Sequence, residues 1–187
     1  MDIVIRPDRD AAAELTAKII AHRLREKPHL VLGLATGRTM EQVYHRLIRM
    51  HREDGLDFSR CRTFNLDEYI GLPPEDEHSY RSYMNRRLFD HVNIEKGNTY
   101  LPDGMAADLK EASERYEDLI RESGGIGLQL VGIGTDGHIG FNEPLSAFRS
   151  RTRDKALMPS TREQNAECFG GDIDRVPRRA LTMGVAT

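Results

Sequence analysis

Asp136, His138 and Glu143 place one imidazole and two carboxyl groups within eight residues of a glycine-rich run, Gly132-Ile133-Gly134-Thr135-Asp136-Gly137-His138-Ile139-Gly140-Phe141-Asn142-Glu143-Pro144. A histidine held by a carboxylate has a fixed tautomer and orientation and changes charge near neutral pH, which is how a proton shuttle is built. A structural histidine hydrogen-bonded in a turn is the competing reading. Gly132, Gly134 and Gly137 formally satisfy a dinucleotide-binding fingerprint, but that pattern requires a helix directly afterwards and a cradle free of negative charge. Gly140 and Pro144 interrupt any such helix and Asp136 would repel a pyrophosphate, so a nicotinamide cofactor is excluded.

Two other clusters carry chemistry. Phe64-Asn65-Leu66-Asp67-Glu68-Tyr69 ends an apolar segment in adjacent acids. In extended backbone neighbouring side chains point to opposite faces, so only one of the two can face a cleft. That one is a candidate general base, with a cap or turn acid as the equal alternative. Gly33-Leu34-Ala35-Thr36-Gly37-Arg38-Thr39 joins a glycine turn to a helix start, where free N–H groups and the helix dipole favour an anion. Taken alone it reads first as an ordinary βα turn with a capped helix. Arg38, whose guanidinium can hold a phosphate bidentately, shifts the reading toward an anion. No Gly-Lys-Ser/Thr follows, so a P-loop is not supported.

These loops need elements to carry them. Residues 10–25 form a predicted helix with Leu15, Ile19, Ile20 and Leu24 on one face, ended by Pro28, and residues 30–34 form an apolar strand. Thr39 and Gln42 have capping-box spacing and open a helix carrying Val43, Leu47 and Met50. Residues 63–66 read as a short strand and 79–92 as a helix. Asp108 with Glu111 opens another helix, and the glycine-bounded run 128–133 reads as a central strand. Residues 180–185 read as a last strand entering the sheet. Apolar strands alternating with amphipathic helices predict an α/β fold with a Rossmann-like parallel sheet covered on both faces. Ligands of such sheets sit beyond the carboxyl ends of the strands, which is where the three loops fall.

With 187 residues, 39% hydrophobic and 30% charged, the chain suits one domain over residues 1–187. A formal charge of −3 without a clustered basic face argues against nucleic acid. Cys61 and Cys168 lie far apart and no Cys/His spacing suits zinc, so neither a disulfide framework nor a metal is indicated. The first residues lack the charged-then-apolar build of a signal peptide and no apolar run reaches bilayer length. A cytoplasmic protein without membrane attachment is expected.

Taken together, Thr36-Gly37-Arg38-Thr39, Phe64-Asn65-Leu66-Asp67-Glu68-Tyr69-Ile70-Gly71-Leu72, Ser79-Tyr80 and the run from Gly134 to Pro144 resemble the signature segments of glucosamine-6-phosphate deaminases, in the glucosamine/galactosamine-6-phosphate isomerase family. The similarity runs along nearly the whole chain. The related 6-phosphogluconolactonases share the fold and an Asp-Gly-His, yet do not usually show Asn-Leu-Asp-Glu-Tyr or Phe-Asn-Glu-Pro. The resemblance implies conversion of glucosamine 6-phosphate to fructose 6-phosphate and ammonia, an aldose–ketose isomerisation coupled to hydrolysis of a C–N bond, with no metal or organic cofactor. It implies Asp67 as the base that moves a proton from C2 to C1, His138 as the acid/base that opens the sugar ring, and Asp136 and Glu143 as the groups that orient it. Thr36, Gly37, Arg38 and Thr39 would form the phosphate loop.

The resemblance also implies a lid over residues 157–177, in which Glu167 stands at the position of a family arginine. Arg38, where many members carry a second glycine, is read as supplying the lost charge. Hexameric members activated by N-acetylglucosamine 6-phosphate make Ser146, Arg153 and Lys155 candidate allosteric residues, with Ala156 in place of a hydroxyl residue, and make self-association an expectation. A further strand–helix section is expected after Thr187. The rival readings are a 6-phosphogluconolactonase-like hydrolase and a non-catalytic sugar-phosphate-binding module, the second of which has no need of Asp67, Asp136, His138 and Glu143 together.

Overall fold

The computed structural model describes residues 2–134 and 136–187; Thr135 of the glycine-rich loop lies outside the described residues. The chain runs α1 (Arg9–Glu26), β1 (Val31–Leu34), α2 (Arg38–Asp54), β2 (Arg62–Asn65), β3 (Asp67–Tyr69), α3 (Tyr80–Arg87), β4 (Thr99–Tyr100), α4 (Leu109–Glu122), β5 (Leu128–Gln129), β6 (Arg153–Ala156), α5 (Pro159–Ala166) and β7 (Arg179–Thr182). The fold is α/β, with a parallel sheet in the order β4-β2-β1-β5 flanked by helices. In register, Leu32 of β1 lies between Thr63 of β2 and Leu128 of β5.

The helices follow the sequence pattern with instructive shifts. On α1 the buried stripe is Ala13, Ala17, Ile20, Ala21 and Leu24, while Ile19 is 47% exposed. Three alanines thus share the buried face with Ile20 and Leu24, two of the four residues of the expected stripe. Arg46 of α2, 9% exposed, fastens α2 to α1 by bonding Asp10 and, at 3.1 Å, Glu14. The capping box expected at Thr39 and Gln42 does not form: α2 starts earlier, with Gly37 as its N-cap and no side chain capping it. The helix expected over 79–92 ends at Arg87 and gives way to a 3-10 turn at Phe89–His91.

Two expectations about strands are corrected. The run 128–133 is not a central strand. It pairs only at Leu128 and Gln129, at the edge of the sheet beside β1, with one further backbone bond from Leu130 N–H to Gly33 O. Beyond Leu130 the chain leaves the sheet, and Val131 and Ile133 are 38% and 78% exposed. Nor does the final strand join the parallel sheet: β7 lies between β3 and β6 in a separate antiparallel sheet, with Asp67 opposite Thr182. The cause is Leu66. Its N–H bonds Leu34 O of β1 and its carbonyl accepts Met183 N–H at 2.7 Å, so one residue carries the chain from one sheet to the other.

A large core packs α1, α2 and the parallel sheet, and a smaller one gathers Tyr69, Phe141, Leu157, Ala166, Phe169, Val176 and Ala180 beside the antiparallel sheet. The segment 157–177 folds as α5 and two short 3-10 turns, Glu167–Phe169 and Ile173–Arg175. Phe169 anchors it at 2% exposure.

Candidate active site

A cleft of about 780 Å³ opens where β1 and β2 end, and all three polar loops contribute to it. Thr36, Gly37, Arg38 and Thr39 line one side, Asp67 the floor, and Gly132, Gly134, His138 and Gly140 another side; Thr161, Asn165 and Phe169 reach in from the segment that follows β6. The cleft joins the parallel sheet to the antiparallel one, at the Leu66 junction.

The adjacent acids part as extended backbone requires. Asp67 lines the cleft and is 6% exposed. Burial, and then the neighbouring Glu68 charge, push its carboxyl up to about 8. A base whose pKa lies near ambient pH is well matched to taking a proton from carbon and returning it. Glu68 turns the other way and accepts the N–H groups of Tyr69, Tyr80 and Arg81, each at 2.9 Å. With Ser79, which accepts Ser82 N–H at 3.0 Å, it caps α3. Burial raises the Glu68 carboxyl against these three donors.

The glycine-rich loop brings Asp136 and His138 together: imidazole Nδ1 lies 2.5 Å from Asp136 Oδ1, which also accepts the His138 N–H at 3.2 Å. Partial desolvation works to raise Asp136, and the hydrogen bonds and charge of His138 outweigh it, leaving the carboxyl below its usual value. Gly134 permits this arrangement, because a Cβ there would stand 2.3 Å from the imidazole Cε1. Past His138 the chain reverses at Gly140 (φ +58°), where Ile139 bridges to Asn142. A Cβ on Gly140 would lie 3.1 Å from Thr182 Oγ1 and 3.4 Å from Asp67 Oδ2, so the bare backbone leaves room beside the buried acid. Phe141 N–H to Thr182 Oγ1 (3.1 Å) and Asn142 Nδ2 to Met183 O (2.8 Å) fix the loop to the end of β7.

Glu143 sits differently from what the resemblance implies. It is 4% exposed, and its Oε1 accepts Met158 N–H at 2.9 Å and the Thr161 hydroxyl at 2.8 Å. The reversal at Gly140 carries it to the start of α5, which no N-cap side chain of its own serves. Among the described residues the carboxylate on the imidazole is Asp136, and Glu143 ties the loop to α5.

Arg38 pairs with Glu167, and Tyr83 of α3 donates to Gly37 O at 2.8 Å, steadying the loop. Tyr80, a residue of the signature segments, lines the cleft, as do His78, Arg86 and Arg87, which the sequence reading passed over because they belong to α3 and its approach and not to a strand-end loop. The basic last turn of α3 was the available signal. Of the candidate allosteric residues, Arg153 Nη2 lies 3.4 Å from Ser146 Oγ, whereas Lys155 is placed further along β6. None of the three lines the cleft. Among the described residues no group of three or more His, Cys, Asp or Glu side chains could hold a metal ion, and no helix is long and apolar enough to cross a membrane.

Comparison with known proteins follows the same geometry. Residues 9–162 match the family described as glucosamine-6-phosphate isomerases/6-phosphogluconolactonase. The chain is 51% identical over 187 residues to the glucosamine-6-phosphate deaminase of Arthrobacter sp. (strain FB24), covering all of this chain and 72% of that one. A solved structure of a monomeric glucosamine-6-phosphate deaminase superposes with a TM-score of 0.96 at 44% identity, over 99% of this chain and 76% of the other. The 6-phosphogluconolactonase of Thermotoga maritima, at TM-score 0.70 and 21% identity over 97% of this chain and 75% of its own, shares the fold alone.

Proposed function

Because this chain belongs to the family of glucosamine-6-phosphate isomerases and 6-phosphogluconolactonases, we propose that it is a glucosamine-6-phosphate deaminase, releasing fructose 6-phosphate and ammonia. The observation that carries the reading is the placement of Asp67, a buried carboxyl raised to about 8, in one cleft with an Asp136–His138 pair and an anion-suited helix start. His138 exchanges a proton with the ring oxygen and opens the sugar, with Asp136 holding its tautomer. Asp67 takes the C2 proton of the open-chain amino aldehyde and returns it to C1, which leaves a carbon–nitrogen double bond at C2. Water adds there and ammonia leaves, so isomerisation and hydrolysis belong to one sequence. The two proton transfers need separate groups, and these stand on different loops.

Thr36 to Thr39, the uncapped start of α2 and Arg38 receive the phosphate. The segment 157–177 covers the site as a lid, held at its start by Glu143. A phosphorylated sugar does not cross a bilayer unaided, which suits a reaction in the cytoplasm, where such sugars are retained. Offering the protein glucosamine 6-phosphate and 6-phosphogluconolactone side by side tests the reading: turnover of the amino sugar is expected, and preferential hydrolysis of the lactone would reassign the site.

A further inference from the structure

Three guanidinium groups stand at the mouth of the cleft, Arg38, Arg86 and Arg87, and each has a partner. Arg87 Nη2 lies 3.2 Å from Glu41 Oε1, Arg86 Nη2 donates to the Glu77 carbonyl at 2.7 Å, and Arg38 pairs with Glu167. The Glu77 carboxylate lies 3.6 Å from His78 Nε2 at the same rim. Two of the three arginines thus face a carboxylate, Arg38 with Glu167 and Arg87 with Glu41, while Arg86 is held by a backbone carbonyl. The charges of Arg38 and Arg87 are each offset by a carboxylate, and an arriving phosphate gains little from either until that carboxylate yields it.

Glu167 is the carboxylate placed to yield. Its side chain is 70% exposed and that of Arg38 is 64% exposed, and ion pairs so open to water are weak. Its surroundings, by contrast, are fixed. Ala166 and Phe169 are buried, Asn165 Nδ2 donates to the Tyr69 hydroxyl at 3.0 Å, and the Phe169 ring stacks on His78 at 4.5 Å. Rotation of the Glu167 side chain therefore frees Arg38 without moving the backbone around it. A carboxylate and a phosphate also present the same paired oxygens to a guanidinium, so one can replace the other on the same donors.

We propose that Glu167 is an internal competitor for the substrate's phosphate: it occupies the Arg38 guanidinium and gives it up when the phosphate arrives, which makes Glu167 a determinant of affinity. This rests on the reading of the cleft as a sugar-phosphate site.

The experiment is titration of the 187-residue protein and its E167Q, R38A and R38A/E167Q variants with glucosamine 6-phosphate, with inorganic phosphate and with glucosamine, followed by calorimetry. Glu167→Gln should tighten glucosamine 6-phosphate and inorganic phosphate about threefold, roughly 0.7 kcal/mol at 1.4 kcal/mol per tenfold. It should leave glucosamine unchanged, and in the R38A background it should have no effect. Unchanged or weaker phosphate binding by E167Q, while the wild type binds glucosamine 6-phosphate, would overturn the competition alone. Equal tightening of glucosamine would also overturn it, because the effect would then not pass through the phosphate. Absence of glucosamine 6-phosphate binding in wild type and E167Q alike would overturn the site reading and the competition together.

Discussion

Asp67→Asn should stabilise the protein while removing its chemistry, and the stabilisation should grow with pH. The folded protein holds the Asp67 proton up to about pH 8, whereas an unfolded aspartate releases it near 3.8. Across that window the native state binds more protons than the unfolded state, so wild-type stability is fully present below the unfolded value and falls as pH rises toward the folded one. At about 1.4 kcal/mol per pH unit, the ceiling of the loss is roughly 6 kcal/mol. The cleft admits water, and relaxation around the charge brings the expected loss to about half of that, roughly 3 kcal/mol. Asparagine has nearly the same shape and cannot ionise, so the variant escapes this loss. The melting temperature of D67N should match that of the wild type near pH 4 and exceed it by about 6–12 °C near pH 9, taking about 2–4 °C per kcal/mol for a chain of this size. Glu68 is present in both proteins and its own titration largely cancels in the difference. Thermal unfolding followed by circular dichroism across that pH range gives the comparison. A difference that stays flat, or shrinks as pH rises, would refute the claim that Asp67 is held protonated by burial.

Other perturbations follow from the same contacts. Arg38→Ala should raise KM for glucosamine 6-phosphate about tenfold with kcat within about twofold, because the lost contact is to the non-reacting phosphate; steady-state kinetics showing an unchanged KM would contradict that role. Glu143→Ala removes the acceptor at the start of α5, a loss of about 1 kcal/mol in local stability. Amide exchange over residues 158–161 should accelerate about fivefold, with Glu143→Gln, which keeps an acceptor oxygen, restoring most of the protection. Gly140→Ala puts a side chain at φ +58° and against Thr182 and Asp67, so a destabilisation of about 1–2 kcal/mol is expected; an unaltered melting curve would argue against a crowded site.

The parts legible in the sequence were those with a strong local cause. The apolar run of β1 and the glycine turn after it, the acids that follow β2 and the histidine loop all declare themselves by composition and spacing, and all three segments meet at one cleft. What stayed hidden depended on distant partners. Nothing local distinguishes Leu66 as the junction between two sheets, because that role comes from backbone bonds to Leu34 and Met183. Val131 and Ile133 have the composition of a buried strand, yet beyond Leu130 the chain has left the sheet. The resemblance implied Glu143 beside His138; the turn at Gly140 sends it to α5. The motif resemblance reached further than periodicity, since it singled out Asp67 over Glu68, a choice that strand alternation alone leaves open.

The central claim is that Asp67 moves the proton on an amino sugar phosphate. Its most direct test is to incubate the purified protein with glucosamine 6-phosphate and follow fructose 6-phosphate and ammonia together, with D67N alongside. The account expects both products in equal amounts from the wild type and neither from D67N. Equal turnover by D67N, or a folded wild type that releases neither product, would contradict it.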